Sequence, residues 1–177
     1  MKYYYLEKKN CNPPNHTFSC ILSLAAYYLT VQVGTLDIRA KLQTTTVSHI
    51  SPIPFFNAWI YIGIIVEVCL VCSTLFTVNE CEKRRIPLIL KYRTLHMTIK
   101  EYYQVKSLLL VRYVGLYFGI AVILYLSCYV TIKLPKYLVI KAIPQILFGV
   151  LYAALITISF LVFNVCRDAI WIRREHA

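Results

Sequence analysis

Charged side chains are scarce in this sequence, and acidic ones are the scarcest. Only 15% of the residues are charged, with 8 Asp and Glu against 19 Lys and Arg, while 59% are hydrophobic. A soluble domain of this length needs a polar surface that such a composition does not supply. The apolar residues fall into runs of about 18 or more, the length that crosses a bilayer. The sequence therefore predicts a membrane protein whose first partner is the lipid bilayer.

The chain also lacks the motifs of common enzyme chemistry. It has no phosphate-binding loop, no His-Glu-x-x-His motif, no paired carboxylates and no Ser/His/Asp set at one depth. The four histidines are scattered over predicted loops, where we expect them to be solvated: His16, His49, His96 and His176. We therefore predict that the protein is not an enzyme and that it uses no metal and no cofactor.

Four apolar runs divide the chain. We predict transmembrane helices at 18–36, 57–78, 111–132 and 138–165, preceded by a short cytoplasmic tail at 1–17. Residues 18–177 then form a single all-α bundle, an integral membrane domain of four transmembrane helices. The connection before the second span ends in Pro52 and Pro54, which a regular helix would not tolerate.

The connection at 79–110 is predicted to be cytoplasmic, amphipathic and helical. Its apolar residues step by three and four along one helix face: Leu88, Tyr92, Leu95, Ile99 and Tyr102. Two interpretations follow from this pattern. The segment extends the third span into the cytosol and packs on a neighbouring helix, or it lies as a basic helix on the inner leaflet.

The basic residues predict the orientation of the bundle. Lys and Arg number 14 in the N-terminal tail, residues 79–112 and the C-terminal tail, against 5 on the opposite side, in residues 37–56 and 133–141. Basic loops stay in the cytoplasm, so both termini are predicted to be cytoplasmic in a multi-pass protein of the cell membrane. The same placement explains the net charge of +11 without a nucleic-acid partner, because no polar domain presents a binding groove.

Glu67 is the one acid within the second span, near its midpoint. An ionisable residue at that depth is costly, which makes it a candidate contact for a ligand. The alternative is a buried acid that hydrogen-bonds a group on a neighbouring helix. The partners expected at similar depth are Tyr27, Tyr28, Tyr125 and Ser127.

Tyrosine is abundant, with 15 residues. Some are expected in the aromatic belts at the membrane interfaces or in helix packing. The others would line a mostly apolar cavity for a small organic molecule. Our candidate ligand-binding residues are Tyr61, Tyr125, Tyr129 and Tyr152, together with Glu67.

Cys69 and Cys72 lie three residues apart on the second span and so share a helix face. The string CLVCSTLFTVN resembles the membrane-embedded active-site helix of the vitamin K epoxide reductase family. That resemblance implies a thiol–disulfide oxidoreductase, which also needs a second cysteine pair in an outer connection. Residues 37–56 and 133–137 contain no cysteine, so the alternative is two small packing residues.

Gly115 and Gly119 form a GxxxG motif in the third span. This motif lets helix backbones approach closely, so both glycines are predicted to pack against a helix. The partner helix belongs to the same chain, or to another chain in a homo- or hetero-oligomer.

The arrangement resembles the first four spans of the insect seven-span chemoreceptors, and gustatory receptors more than odorant receptors. The likeness lies in the short N-terminal tail, the basic connection at 82–106, the Tyr-rich third span and the basic end at 167–174. The family's motif in the seventh span has no counterpart here, so no signature residue is carried over. The resemblance implies a partial taste receptor of a ligand-gated cation channel family, without the pore-lining last span. The alternative is a small polytopic accessory or structural membrane protein.

Overall fold

The structure is a computed structural model that describes residues 16–44, 51–79, 85–89 and 98–175. These residues contain four long helices: α1 (His16–Thr44), α2 (Ala58–Phe76), α3 (Ile99–Thr131) and α4 (Lys136–Glu175). Each of the four is long and apolar enough to cross a membrane. The prediction of four membrane-spanning helices is confirmed at this level of length and composition.

Three of the helices run beyond the predicted spans. α1 continues from the predicted end at residue 36 to Thr44. Its last turns carry an exposed ion pair between Asp37 and Lys41, a spacing that supports a helix in water. α4 runs from Lys136 to Glu175 and passes through Pro144 without ending, and proline is tolerated inside helices of this apolar, membrane-spanning type.

α3 begins at Ile99, well before the predicted span at 111–132. Thr98 caps this helix. The Thr98 hydroxyl accepts a hydrogen bond from the Glu101 amide, and the Glu101 carboxylate accepts one from the Thr98 amide. This reciprocal pair satisfies two amides that a helix start leaves open. The end of the predicted connection is thus continuous with the third span, and its Tyr102 is buried while Ile99 is 63% exposed. The predicted face residues Tyr92 and Leu95 lie outside the described residues.

The connection predicted as helical at 79–110 is partly extended instead. Thr77–Asn79 (β1) pairs antiparallel with Arg85–Pro87 (β2). Thr77 already has extended dihedrals, φ −127° and ψ 151°. The β-branched residues Thr77 and Val78 favour an extended strand. Pro87 lies at the end of the strand pair, where its missing amide is tolerated. The all-α prediction is confirmed for the four long helices, and the described residues add one short strand pair that it did not include.

α2 and α3 form the centre of the bundle, since each of them packs against the three other long helices. α2 is the more deeply buried of the two. Half of its most apolar window is buried inside the bundle, against 11% for α4. α4 accordingly presents most of its apolar surface outward. At one end of the bundle, which we call the Phe76 end, Phe76 of α2 lies beside the ring of Tyr103 and accepts a hydrogen bond from Arg167. The opposite end is filled by the segment at 51–57.

Candidate functional site

The proline-containing segment at 51–57 is not helical, as predicted, and it enters the bundle between the helices. The Ile53 amide donates to the Tyr129 hydroxyl at 3.0 Å, and the Ile53 carbonyl accepts from the Tyr125 hydroxyl at 2.6 Å. The two tyrosines also share a hydrogen bond of 3.0 Å. Because both lie one turn apart on α3, a single helix face satisfies both backbone groups of Ile53.

Phe55 is the innermost residue of this segment, with no exposed surface. Its amide donates to Oε1 of Gln145 at 2.7 Å, and its carbonyl accepts from the Tyr27 hydroxyl at 3.0 Å. Its ring lies 5.2 Å from the Tyr125 ring and 5.5 Å from the Phe118 ring. Non-helical backbone at membrane depth is tolerated only where the protein satisfies its polar groups. Here α1, α3 and α4 each supply such a side chain.

An aromatic cluster of Phe56, Tyr61 and Tyr152 adjoins this segment. Phe56 stacks on Tyr61 at 4.8 Å, and Tyr152 meets Tyr61 edge-on at 4.9 Å. The cluster borders a cavity of about 590 Å³, which we call the aromatic cavity. It is lined by Pro54, Phe56, Tyr61, Gln145, Phe148, Leu151, Tyr152 and Leu155. Sites for drug-sized molecules have volumes of about 300–1,000 Å³ and a mostly apolar lining with few polar groups.

The five candidate ligand-binding residues are divided among three places. Tyr61 and Tyr152 lie together in the aromatic cavity. Tyr125 and Tyr129 lie together behind it, where their hydroxyls hold Ile53. The sequence could not separate these pairs, because all four tyrosines lie on apolar spans and only the course of the segment at 51–57 distinguishes them.

Glu67 lies apart from all four tyrosines. It is 2% exposed, and its carboxylate contacts two side chains of the first turns of α1. His16 Nε2 hydrogen-bonds Oε1, and the Cys20 thiol donates to Oε2 at 2.9 Å. The Cys20 sulfur lies 3.7 Å from His16 Nε2. The three ligand atoms lie within 4.8 Å of one another, so this group has the composition and spacing to hold a metal ion.

This arrangement corrects the partners that were expected for Glu67. Tyr27 and Tyr125 bond the segment at 51–57, and Ser127 bonds the Leu124 carbonyl of its own helix. Those partners were expected because the midpoints of the predicted spans were assumed to lie at the same depth. α1 is instead shifted along α2, so that its first turn, rather than its middle, lies beside Glu67.

His16 was also expected to be solvated on a loop, and that expectation is wrong. It is the first residue of α1, and its side chain is 16% exposed. Its ring contacts the Tyr113 ring edge-on at 5.1 Å. The signal in the sequence was the spacing of His16 and Cys20, four residues apart and therefore on one helix face. His49, His96 and His176 lie outside the described residues.

Cys69 and Cys72 lie on α2 nearer the Phe76 end. Cys69 is exposed and Cys72 is buried, and both are free thiols, as are Cys20, Cys128 and Cys166. Cys69 and Cys72 border a second cavity, of about 330 Å³, whose lining includes Arg167 and Asn164. The two thiols therefore share one cavity, as their spacing on a helix predicts.

The glycines that allow close packing are different from those of the GxxxG motif. A Cβ at Gly63 would overlap the Tyr117 hydroxyl, and a Cβ at Gly149 would lie 2.8 Å from the Phe118 ring. At Gly115 and Gly119 a Cβ would meet no atom within 4 Å. The GxxxG motif therefore faces away from the described helices of its own chain, and its packing against another chain stays a prediction.

Arg167 and Asp168 form an ion pair at the Phe76 end that was not predicted from the sequence. Asp168 has no exposed surface, and its Oδ1 accepts from Arg167 Nη2 at 2.8 Å. The Tyr103 hydroxyl donates to Oδ2 at 3.1 Å, and Arg167 also donates to the Phe76 carbonyl at 3.2 Å. The pair thus ties α4 to α2 and α3. The sequence feature that could have indicated this pair is the adjacent Arg-Asp just after the predicted end of the fourth span.

Comparison of this chain with protein-family models, with curated proteins and with solved structures gave no match. The candidate sites therefore rest on the geometry described above.

Proposed function

We propose that this protein is an integral membrane receptor whose helical bundle binds a small, uncharged organic molecule in the aromatic cavity. The observation that supports this most is the cavity itself, formed by Phe56, Tyr61 and Tyr152 with no charged side chain among the described residues that line it. Four aromatic rings, including that of Phe148, supply most of the apolar surface, while the Tyr hydroxyls and the Gln145 amide supply a few directional polar groups. Such a lining suits a phenol or a terpenoid alcohol better than an ion.

The segment at 51–57 provides a physical connection from the cavity to the bundle. Phe56 faces the cavity, while its neighbour Phe55 is bonded to Tyr27 of α1 and packed against Tyr125 of α3. Gln145 both lines the cavity and accepts the Phe55 amide. A ligand that displaced Phe56 or Gln145 would therefore change how three helices are held together, which is the requirement for a ligand-driven signal.

Within this proposal, the chain is the ligand-binding part of a taste-type chemoreceptor in the cell membrane, with both termini cytoplasmic. Its resemblance to the first four spans of the seven-span chemoreceptors suggests the signalling context.

The proposal is tested by ligand binding to the full chain in lipid nanodiscs. Phenylnaphthylamine, a neutral apolar fluorophore, serves as the probe, with the signal of empty nanodiscs subtracted. We expect one saturable site per chain in the wild type. Tyr152→Ala removes an aromatic wall and Leu151→Trp fills the cavity, so each should weaken binding by at least about 10-fold, on the order of 1.4 kcal/mol.

Tyr28→Phe is the matched control, because Tyr28 lies on α1 and does not line the aromatic cavity. It should bind the probe like the wild type. Displacement by a panel of phenols and terpenoid alcohols then identifies the class of ligand. Saturable binding that survives both Tyr152→Ala and Leu151→Trp would contradict the proposal, as would the absence of any saturable site.

A second candidate function is supported by the GxxxG motif. Gly115 and Gly119 lie open on α3, so they offer a surface for close approach by a helix of another chain. A small polytopic protein that assembles through this face, without a ligand, would be an accessory or structural membrane protein. It would show chemical crosslinking between chains that Gly115→Leu abolishes, and no saturable probe binding.

A further inference from the structure

We propose that His16, Cys20 and Glu67 bind a divalent transition-metal ion, with zinc as the best fit. The three residues come from two helices, α1 and α2, and each offers one ligand atom, the three atoms lying within 4.8 Å of one another. His16 and Cys20 are four residues apart on α1, so the helix places both on the face that meets Glu67. The site is separate from the aromatic cavity, with which it shares no residue.

The donor set favours zinc over harder ions. One imidazole nitrogen, one thiolate and one carboxylate oxygen are all common zinc ligands, whereas calcium and magnesium select oxygen alone. Around a tetrahedral zinc, ligand atoms are separated by roughly 3.4–3.6 Å, from bond lengths of about 2.0–2.3 Å. The Cys20 sulfur and His16 Nε2 are 3.7 Å apart, close to that spacing. The Glu67 oxygens lie closer to both partners, as expected for hydrogen bonds that a metal would replace.

Charge also favours a cation at this position. Glu67 is 2% exposed and Cys20 is half-buried, in a helix pair with an apolar exterior. A buried carboxylate beside a thiol needs either protons or a cation for neutrality. A zinc ion with one carboxylate, one thiolate and a neutral imidazole carries no net charge. Binding therefore releases the thiol proton and any proton shared between His16 and Glu67, and leaves a neutral complex.

The site has an adjoining cavity that would admit the ion and a fourth ligand. This cavity has a volume of about 290 Å³ and is bordered by His16, Cys20 and Glu67 with Tyr113 and Tyr117. Three protein ligands with an open fourth position are typical of zinc sites that exchange a water or another small ligand. Closed structural zinc sites have four protein ligands. The geometry therefore points to an ion whose fourth ligand is exchangeable.

The test uses the purified full chain in nanodiscs with cobalt as a spectroscopic substitute for zinc. Cobalt bound by a thiolate gives a charge-transfer absorption, and tetrahedral cobalt gives intense visible bands. We expect one cobalt ion per chain with both features, displaced by an equimolar amount of zinc. Cys20→Ser should abolish the charge-transfer absorption. Since loss of an outer-shell partner already weakens metal affinity by 10–100-fold, loss of this direct ligand should weaken it by at least about 100-fold.

Cys166→Ser is the matched control, because it makes the same change at a free cysteine outside the cluster. It should retain both cobalt features. Glu67→Gln keeps a hydrogen-bonding group of the same shape, so it tests the site even where Cys20→Ser fails to fold. Zinc should raise the melting temperature of the wild type and of Cys166→Ser, but not that of Glu67→Gln. Equal cobalt binding by the wild type and Glu67→Gln, or no thiolate band in the wild type, would overturn the proposal.

Discussion

The Tyr125 hydroxyl donates a hydrogen bond of 2.6 Å to the carbonyl oxygen of Ile53. This bond joins the C-terminal part of α3 to a segment that two prolines keep out of regular structure. Together with the bond from the Ile53 amide to Tyr129, it replaces the backbone pairing that a helix would have supplied. The tyrosines therefore allow an extended segment to lie inside a bundle of membrane helices.

Removing the Tyr125 hydroxyl should destabilise the protein. In Tyr125→Phe the Ile53 carbonyl loses its donor in a buried place, and an unsatisfied buried acceptor costs about 1–3 kcal/mol. We expect the free energy of unfolding, measured by denaturant titration in detergent micelles, to fall by that amount. Tyr28→Phe removes a hydroxyl from a half-buried tyrosine that does not hold the segment, and it should change stability by less than about 0.5 kcal/mol. Equal losses in the two variants would contradict the role of the bond.

The glycines of the bundle should respond to alanine in opposite ways. Gly63→Ala places a methyl group against the Tyr117 hydroxyl, which bonds Ser23 at 3.0 Å. Overpacking of this kind typically costs about 1–3 kcal/mol. Gly115→Ala enters open space and should be neutral, or stabilising by up to about 1 kcal/mol from helix propensity. Thermal unfolding of both variants in micelles distinguishes them, and strong destabilisation by Gly115→Ala would instead indicate a partner chain at this face.

The ion pair at the Phe76 end should contribute far more than a surface pair. Asp168→Ala leaves Arg167 without its buried partner and Tyr103 without its acceptor. Breaking a fully buried pair costs about 3–5 kcal/mol, and we expect roughly 2–4 here because Arg167 is 24% exposed. Asp37→Ala breaks the exposed pair with Lys41 and should cost less than about 1 kcal/mol. A denaturant titration that gave similar losses for the two variants would show that the buried network adds no stability.

The predicted orientation can be tested with glycosylation. Asn15-His16-Thr17 is a formal acceptor sequence, and it should stay unmodified if the N-terminus is cytoplasmic. Gln43→Asn creates a second acceptor sequence with Thr45 at the other end of α1, and that one should receive a glycan. Translation into microsomes, followed by a gel-mobility shift that glycosidase removes, measures both. Glycan on Asn15 would reverse the orientation.

Much of the fold was predictable because it depends on local properties of the chain. The length and apolarity of each run predicted four spanning helices, since a bilayer of fixed thickness needs about 20 apolar residues. Pro52 and Pro54 predicted the break before α2, because a ring-locked φ and a missing amide act without help from distant residues. The strand pair at 77–79 and 85–87 was not predictable, since pairing joins residues across a charged connection.

The candidate sites depended on how far the helices are shifted along one another. The sequence placed Glu67 within an apolar span and made it a candidate site, but it gave no way to choose between Tyr27 and His16 as its neighbour. A shift of α1 along α2 by a few turns changes every contact without changing the apolar pattern of either helix. The same holds for Gly63 and Gly115. Both glycines lie in apolar stretches of the sequence, but only Gly63 packs against another helix, whereas Gly115 faces open space.

The sequence by itself determined that the chain has four helices long and apolar enough to cross a membrane, because transfer of apolar runs out of water depends only on composition and length. Only the tertiary structure decided which side chains meet. It joined Tyr61 and Tyr152 in one cavity, set Tyr125 and Tyr129 to hold Ile53, and brought His16 and Cys20 to Glu67. Those meetings arise from packing between helices, where side-chain shape and hydrogen bonding select one arrangement from many that bury the same apolar area.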